Sequence, residues 1–265
     1  MKLRHLLLSS VMMLVPSVSL SQENVDGDEF IKVLESLAQI AVPPDYTSIQ
    51  GVASGSVAPK GYAFVSLSGT TDKTTDGGNG EFDGAFAVGA GLGSLGPIDA
   101  QAIVNITSTN PKDFADSGSL GLKFGTKIPT SGAPYRLAVS FSNLGGWGDN
   151  ENGDVNTTVA LSSKTTRYRP SGPLSYSWSI GAVTDEGSNN WDPFVGLGLG
   201  LSQNLGISAA YSDRDEVVKL GTGWRLPEAN GASLAVTLND PFDMGAMSGV
   251  TVSLSWAFNA FGGIR

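Results

Sequence analysis

Hydrophobic and polar residues alternate with a period of two over most of this 265-residue chain. In the clearest segment, from Val250 to Phe258, every second residue is Val, Leu, Trp or Phe, and those between are Thr, Ser or Ala. A period of two is that of a β-strand, whose successive side chains point to opposite faces. The pattern predicts twelve strands, near residues 60–70, 81–93, 98–108, 117–128, 134–143, 154–164, 173–184, 192–203, 205–212, 216–226, 231–239 and 249–258.

The residues before these strands, 22–59, follow a different pattern. Apolar residues recur at the spacing of one helix face at Phe30, Val33, Leu34, Leu37 and Ala41. This spacing predicts a short amphipathic helix over 28–41, with Asp28 as its N-cap and Pro43 after its end. Residues 45–59 are rich in Gly, Ser and Pro without periodicity, which predicts a linker. Three positions are open for the helix: inside a barrel, beneath it in the periplasm, or at an oligomer contact.

The two faces of the predicted strands differ in size, as where Leu197 and Leu199 alternate with Gly196 and Gly198. In a soluble β-sandwich the second face carries charged and polar residues toward water, but here it is mainly Gly, Ala and Ser. Such a face suits the inside of a membrane barrel whose bulky face contacts lipid. The chain is therefore predicted to be all-β, a transmembrane antiparallel up-and-down barrel of 60–265. Five basic residues on the small face are predicted to line the lumen and set its selectivity: Lys123, Arg136, Lys164, Lys219 and Arg225.

The predicted connections between strands alternate in length. Odd-numbered connections are mostly long and carry Asp and Glu, whereas even-numbered ones are mostly short. Because barrels of this kind begin and end in the periplasm, the long acidic loops are expected outside the cell. Two connections depart from the pattern: the sixth, Thr165 to Gly172, is long and basic, and the ninth, Asp213 to Asp215, is short.

From Lys60 to Phe258 the chain resembles the outer-membrane β-barrel proteins of Gram-negative bacteria. Those proteins end in a strand of alternating hydrophobic residues with a final aromatic, which the barrel-assembly machinery recognises. Residues matching that signal are Val252, Leu254, Trp256 and Phe258, although seven further residues follow here. The resemblance implies a place in the bacterial outer membrane, with lipid, lipopolysaccharide and the assembly machinery as partners, and it is compatible with a homo-oligomer. The strand number and the helix before the barrel also resemble autotransporter translocators, but too few residues precede the first strand to form a passenger.

The first residues, 1–21, are predicted to be a signal peptide. Lys2 and Arg4 precede a short apolar run, Leu6 to Val15, and small residues follow it. Cleavage would remove two of 16 basic residues and leave all 25 acidic ones, which changes the formal net charge from −9 to −11. This balance argues against nucleic acid as a partner.

Few kinds of catalytic chemistry are open to the chain. It has no cysteine, and its one histidine, His5, lies in the predicted signal peptide, so catalytic triads and histidine zinc sites are not expected. The chain is accordingly predicted not to be an enzyme and to hold no catalytic residues, cofactor or metal centre. The run with Asp149, Glu151 and Asp154 is a candidate loop for a loosely held divalent ion, but it lacks EF-hand spacing.

Trp and Tyr residues near the strand ends predict interfacial girdles rather than a sugar-binding set. Together these features predict a porin-like channel for small hydrophilic solutes. The alternative is a non-conducting structural or surface-contact barrel with acidic extracellular loops, and a soluble secreted sandwich is a third class.

Overall fold

The computed structural model describes residues 46–74, 82–107, 114–169, 172–184, 190–214, 216–229, 231–242 and 247–260. The predicted signal peptide and the predicted helix over 28–41 lie outside the described residues. Within those described ranges, no helix is long and apolar enough to cross a membrane.

Twelve antiparallel strands form one closed barrel. The strands are β1 (Tyr62–Thr74), β2 (Phe82–Leu95), β3 (Ile98–Ile106), β4 (Gly118–Ile128), β5 (Tyr135–Trp147), β6 (Asn156–Arg169), β7 (Gly172–Thr184), β8 (Trp191–Gly200), β9 (Leu205–Ser212), β10 (Val217–Arg225), β11 (Ala232–Asn239) and β12 (Met247–Asn259). Each strand pairs with its neighbours in sequence, and β1 pairs with β12 to close the sheet. The predicted all-β antiparallel barrel and its number of strands are confirmed.

Short turns gather at one end of the barrel. Strands β2 and β3 are joined by two residues, and β6 and β7 are also joined by two, because β6 continues to Arg169. The prediction of a long sixth connection from Thr165 to Gly172 was therefore wrong: its polar residues extend a strand. We call this end the short-turn end and the opposite one the long-loop end, where a 3-10 turn at Gly148–Asn150 follows β5.

The barrel is apolar outside and small or polar inside. Leu197 is 61% exposed and Trp256 is 52% exposed, whereas Gly196 and Gly198 are buried. Two inward serines, Ser175 and Ser179, have no exposed surface at all. An apolar band around a closed antiparallel sheet is the surface that contacts lipid in outer-membrane barrels. The chain therefore folds as a membrane-spanning β-barrel.

Aromatic side chains pack against each other on the outer face. The rings of Tyr135 and Trp178 meet edge to face at 5.7 Å between centroids, and those of Trp256 and Phe258 lie 5.2 Å apart. Tyr135 begins β5 and Phe258 is close to the end of β12, so both pairs reach toward the short-turn end. Aromatic rings at this level fit the headgroup boundary of a bilayer.

Candidate functional site: the barrel lumen

Residues 46–60 lie inside the barrel, and we call them the luminal segment. At one end, the backbone N–H of Tyr46 donates to the carbonyl of Ser202, in the turn between β8 and β9, over 2.9 Å. At the other end, Lys60 forms a bridge with Gly91 of β2. Both ends of the luminal segment therefore lie toward the short-turn end.

The middle of the luminal segment lies deeper in the lumen. Gly51 packs against the side chain of Lys219, near the start of β10. Val52 packs on Gly196, which stands further from the short-turn end than Gly198, where Thr47 packs. The luminal segment thus forms an arch that rises along β10 and β8 and descends along β4, β3 and β2.

Wall side chains hold the backbone of the luminal segment by hydrogen bonds. Three backbone N–H groups donate to the wall: Gln50 to Ser208 Oγ at 3.2 Å, Gly55 to Ser162 Oγ at 3.0 Å and Ala58 to Gln101 Oε1 at 2.7 Å. Two wall groups donate to its carbonyls: Ser179 Oγ to Ala53 at 2.6 Å and Lys123 Nζ to Ser54 at 2.7 Å. Backbone polar groups away from water need such partners, and here strands β3, β4, β6, β7 and β9 supply them.

Inward glycines make room for the luminal segment. A side chain added at Gly196 would place its Cβ 2.5 Å from Ile49 and 2.6 Å from Val52, so these two side chains occupy the space that the glycine leaves. At Gly55 the glycine belongs to the luminal segment and the wall occupies the space, since an added Cβ would lie 1.8 Å from the carbonyl oxygen of Arg136. The segment and the wall therefore interlock, with large side chains over glycines and a glycine against backbone.

All five basic residues predicted to line the lumen lie on the inner face of the barrel wall. Four contact the luminal segment: Lys123 donates to Ser54, Arg136 Nη1 donates to Ser56 Oγ at 3.4 Å, Lys219 packs on Gly51, and the Arg225 guanidinium lies 5.3 Å from the Tyr46 ring centroid. The fifth, Lys164, lies on the same inner face as the diagonal neighbour of Arg136 across β5 and β6. The structure thus brings the predicted set together around the luminal segment.

Sequence reasoning missed two charged residues of the lumen. Lys127 and Asp99 line a cavity at the short-turn end together with Arg136. Lys127 follows Lys123 by four residues in β4, so the same alternation places both on the inner face, and that spacing was the available signal.

The wall formed by β1 and β12 carries hydroxyl groups at six consecutive inward positions. We call these residues the hydroxyl ladder: Ser66, Ser68 and Thr70 of β1, opposite Ser255, Ser253 and Thr251 of β12. The first and last pairs are joined by side-chain hydrogen bonds, each 2.9 Å long. All six residues are half-buried, unlike the fully buried Ser175 and Ser179. In the described part of the chain, no hydrogen bond joins β12 to the luminal segment.

The three acidic residues of the candidate divalent-ion loop do not form a ligand set. The Asp149 carboxylate accepts a hydrogen bond from Ser117 Oγ at 2.9 Å, while Glu151 and Asp154 are exposed. Among the residues that the structure describes, no group of three or more His, Cys, Asp or Glu side chains could hold a metal ion.

Comparison with known proteins gives similarities of fold. No protein-family model and no curated protein sequence matches the chain. Among solved structures, the outer membrane protein Omp33 of Acinetobacter baumannii has a TM-score of 0.46 and 12% identity, covering 76% of this chain and 100% of its own. The COG4313 outer membrane channel of Pseudomonas putida F1 has a TM-score of 0.47 and 9% identity, covering 78% and 100%. LpxR of Salmonella typhimurium has a TM-score of 0.40 and 10% identity, covering 74% and 99%.

Proposed function

We propose that the protein is a porin-like channel for small hydrophilic solutes, whose lumen is narrowed by the luminal segment. The hydroxyl ladder carries this proposal, because it gives the lumen one polar wall that stays half exposed. A pore wall of apolar side chains would offer water and polar solutes no hydrogen-bond partners. Hydroxyl groups instead suit the passage of water and of solutes that form hydrogen bonds.

The basic residues support a preference for anions. Lys123, Arg136, Lys164, Lys219 and Arg225 all face the lumen, and charges of one sign act strongly in a narrow pore. In this proposal the short-turn end faces the periplasm and the acidic loops face outward. The chain then works as a conduit and not as an enzyme.

The luminal segment favours a second candidate, the non-conducting structural barrel. It lies along the inner faces of β2 to β10, and the wall serines beneath it, Ser162 and Ser179, are buried. A barrel filled in this way could serve as a scaffold with surface loops for contact.

Single-channel recording in planar bilayers separates the two candidates. The wild-type protein should give discrete conductance steps. Replacing Ser68 and Ser253 together by Leu should at least halve the step, because two large side chains would cover the ladder at its middle pair. Val252→Leu, on the outer face of the same strand, is the matched control and should leave the step unchanged.

Gly55→Val supplies the decisive negative result. This variant is designed to displace the luminal segment, since its Cβ cannot fit against the Arg136 carbonyl. Silence from both the wild type and this variant, each shown to be folded by the mobility shift between unheated and heated samples, would overturn the channel function and leave the structural barrel.

A further inference from the structure

A cavity of about 400 Å³ lies at the short-turn end of the lumen, between the luminal segment and strands β3 to β5. Ser56, Val57 and Pro59 of the segment line one side, and Asp99, Lys127 and Arg136 line the other. This volume lies in the range of pockets that take small organic molecules.

Cations are concentrated on the wall of this cavity. Lys127 and Arg136 are directly opposite each other in the register of β4 and β5. Lys164 on β6 lies two residues beyond Ser162, the partner of Arg136, so it is the diagonal neighbour on the same face. Side chains at opposite and diagonal positions of neighbouring strands lie within reach of each other, and like charges there repel.

Among the described residues, these three cations lack a carboxylate partner. In the part of the chain that the structure describes, Lys127, Arg136 and Lys164 form no ion pair with a carboxylate. Asp99 lines the same cavity, and its carboxylate accepts a hydrogen bond from the hydroxyl of Ser94. An anion entering the cavity would therefore relieve repulsion that the folded chain leaves in place.

We propose that this cavity binds a small organic anion that also carries hydroxyl groups, of the chemical class of a phosphorylated polyol. The proposal rests on the channel function, because it names the class of solute that the lumen takes up. Arg136 presents a planar fork suited to a phosphate or carboxylate group, and Lys127 adds a second positive charge. Asp99 can accept a hydrogen bond from a hydroxyl group of the ligand.

Asp99 sets the preference between related anions. Its negative charge lies in the cavity beside the cations, so it opposes an anion that has no hydroxyl group to offer. A hydroxylated anion compensates by donating a hydrogen bond to that carboxylate. The cavity should therefore bind glycerol 1-phosphate more tightly than inorganic phosphate.

Phosphorus-31 NMR line broadening on the detergent-solubilised full-length protein tests the site. Glycerol 1-phosphate should show saturable broadening with the wild type. The double variant Lys127→Gln/Arg136→Gln should bind at least about tenfold more weakly, since it removes both positively charged hydrogen-bond donors of the cavity. Arg169→Gln, which removes a cation from the outer face of β6 at the same end of the barrel, is the matched control and should bind as the wild type does.

Two further variants keep the test decisive. Lys127 is exposed, so the single variant Lys127→Gln preserves the fold and should still weaken binding severalfold. Asp99→Asn should bring the affinity for inorganic phosphate up to that for glycerol 1-phosphate. Unsaturable broadening, equal binding by the double variant, or an equal loss in Arg169→Gln would overturn the proposal.

The binding experiment and the conductance experiment fail independently. Conductance steps without saturable binding would overturn the anion site and leave the channel. Saturable binding in a barrel that conducts nothing would overturn the channel function and leave the anion site.

Discussion

Two walls of the lumen are built from the same kinds of residue but are used differently. On the wall of β6 and β7, Ser162 is 6% exposed and Ser179 is fully buried, because the luminal segment covers them. On the wall of β1 and β12, Ser66 and Ser253 are half-buried. The serines do not differ in type; what differs is whether the chain covers them.

The hydrogen bonds show why the two walls differ. In the hydroxyl ladder, Ser66 and Ser255 bond to each other across the strands. On the covered wall, Ser162 and Ser179 bond to the backbone of Gly55 and Ala53. The hydroxyl groups of a small polar lumen face can thus bond to each other and remain accessible, or they can bond to another part of the chain and be covered by it.

Gly55→Val is the change with the largest expected effect on the covered wall. Its Cβ would lie 1.8 Å from the Arg136 carbonyl oxygen, and that backbone cannot move without disturbing β5. Overpacking typically costs about 1–3 kcal/mol and occasionally more, and an overlap this severe with backbone belongs at the upper end, which corresponds to a roughly hundredfold or larger increase in the undocked population. The readout is the maleimide labelling rate of a Ser56→Cys probe, which is the only thiol because the chain has no cysteine.

Gly132→Val is the matched control for that experiment. No atom lies within 4 Å of the Cβ it would add, in the turn before β5, so the labelling rate should not change. Labelling that is equally slow with and without the change at Gly55 would mean that the luminal segment is not held by this contact.

Lys123→Met should have the next largest effect. The variant keeps most of the side-chain length but removes the ammonium group that donates to the Ser54 carbonyl over 2.7 Å. A hydrogen bond to a charged group contributes about 1.5–3 kcal/mol, so labelling of the Ser56→Cys probe should rise roughly tenfold or more. Lys127→Met, on the same strand face, should leave the rate near that of the wild type. Equal rates in all three proteins would show that Lys123 does not hold the segment.

The strands could be predicted from the sequence because each has one face toward lipid and the other toward the lumen. That difference imposes a period of two, and it also placed Lys123 and Arg136 on the inner face. The pattern failed at Arg167 and Arg169, where polar residues were interpreted as a loop although they end β6. Near the membrane surface, polar side chains lie in strands without difficulty, so polarity alone did not mark the strand end.

The luminal segment could not be predicted because its partners are distant in sequence. Gly55 and Ser162 are separated by 107 residues, and closure of the barrel alone brings them together. The luminal segment is not a β-strand, so its sequence does not alternate with a period of two. Its Gly, Ser and Pro residues gave it the composition of a linker. The helix over 28–41 stays a prediction.

The smallest effect is expected in the hydroxyl ladder. Replacing Ser66 and Ser255 together by Ala removes both partners of one hydrogen bond, so no polar group loses its partner, and stability should change by less than about 1 kcal/mol. Ser162→Ala on the covered wall leaves the buried N–H of Gly55 without a partner and should cost about 1–3 kcal/mol. Urea unfolding in lipid vesicles, followed by tryptophan fluorescence, measures both. An equal loss of stability in the two variants would contradict the comparison, since the ladder serines would then contribute as much to the stability of the fold as those beneath the luminal segment.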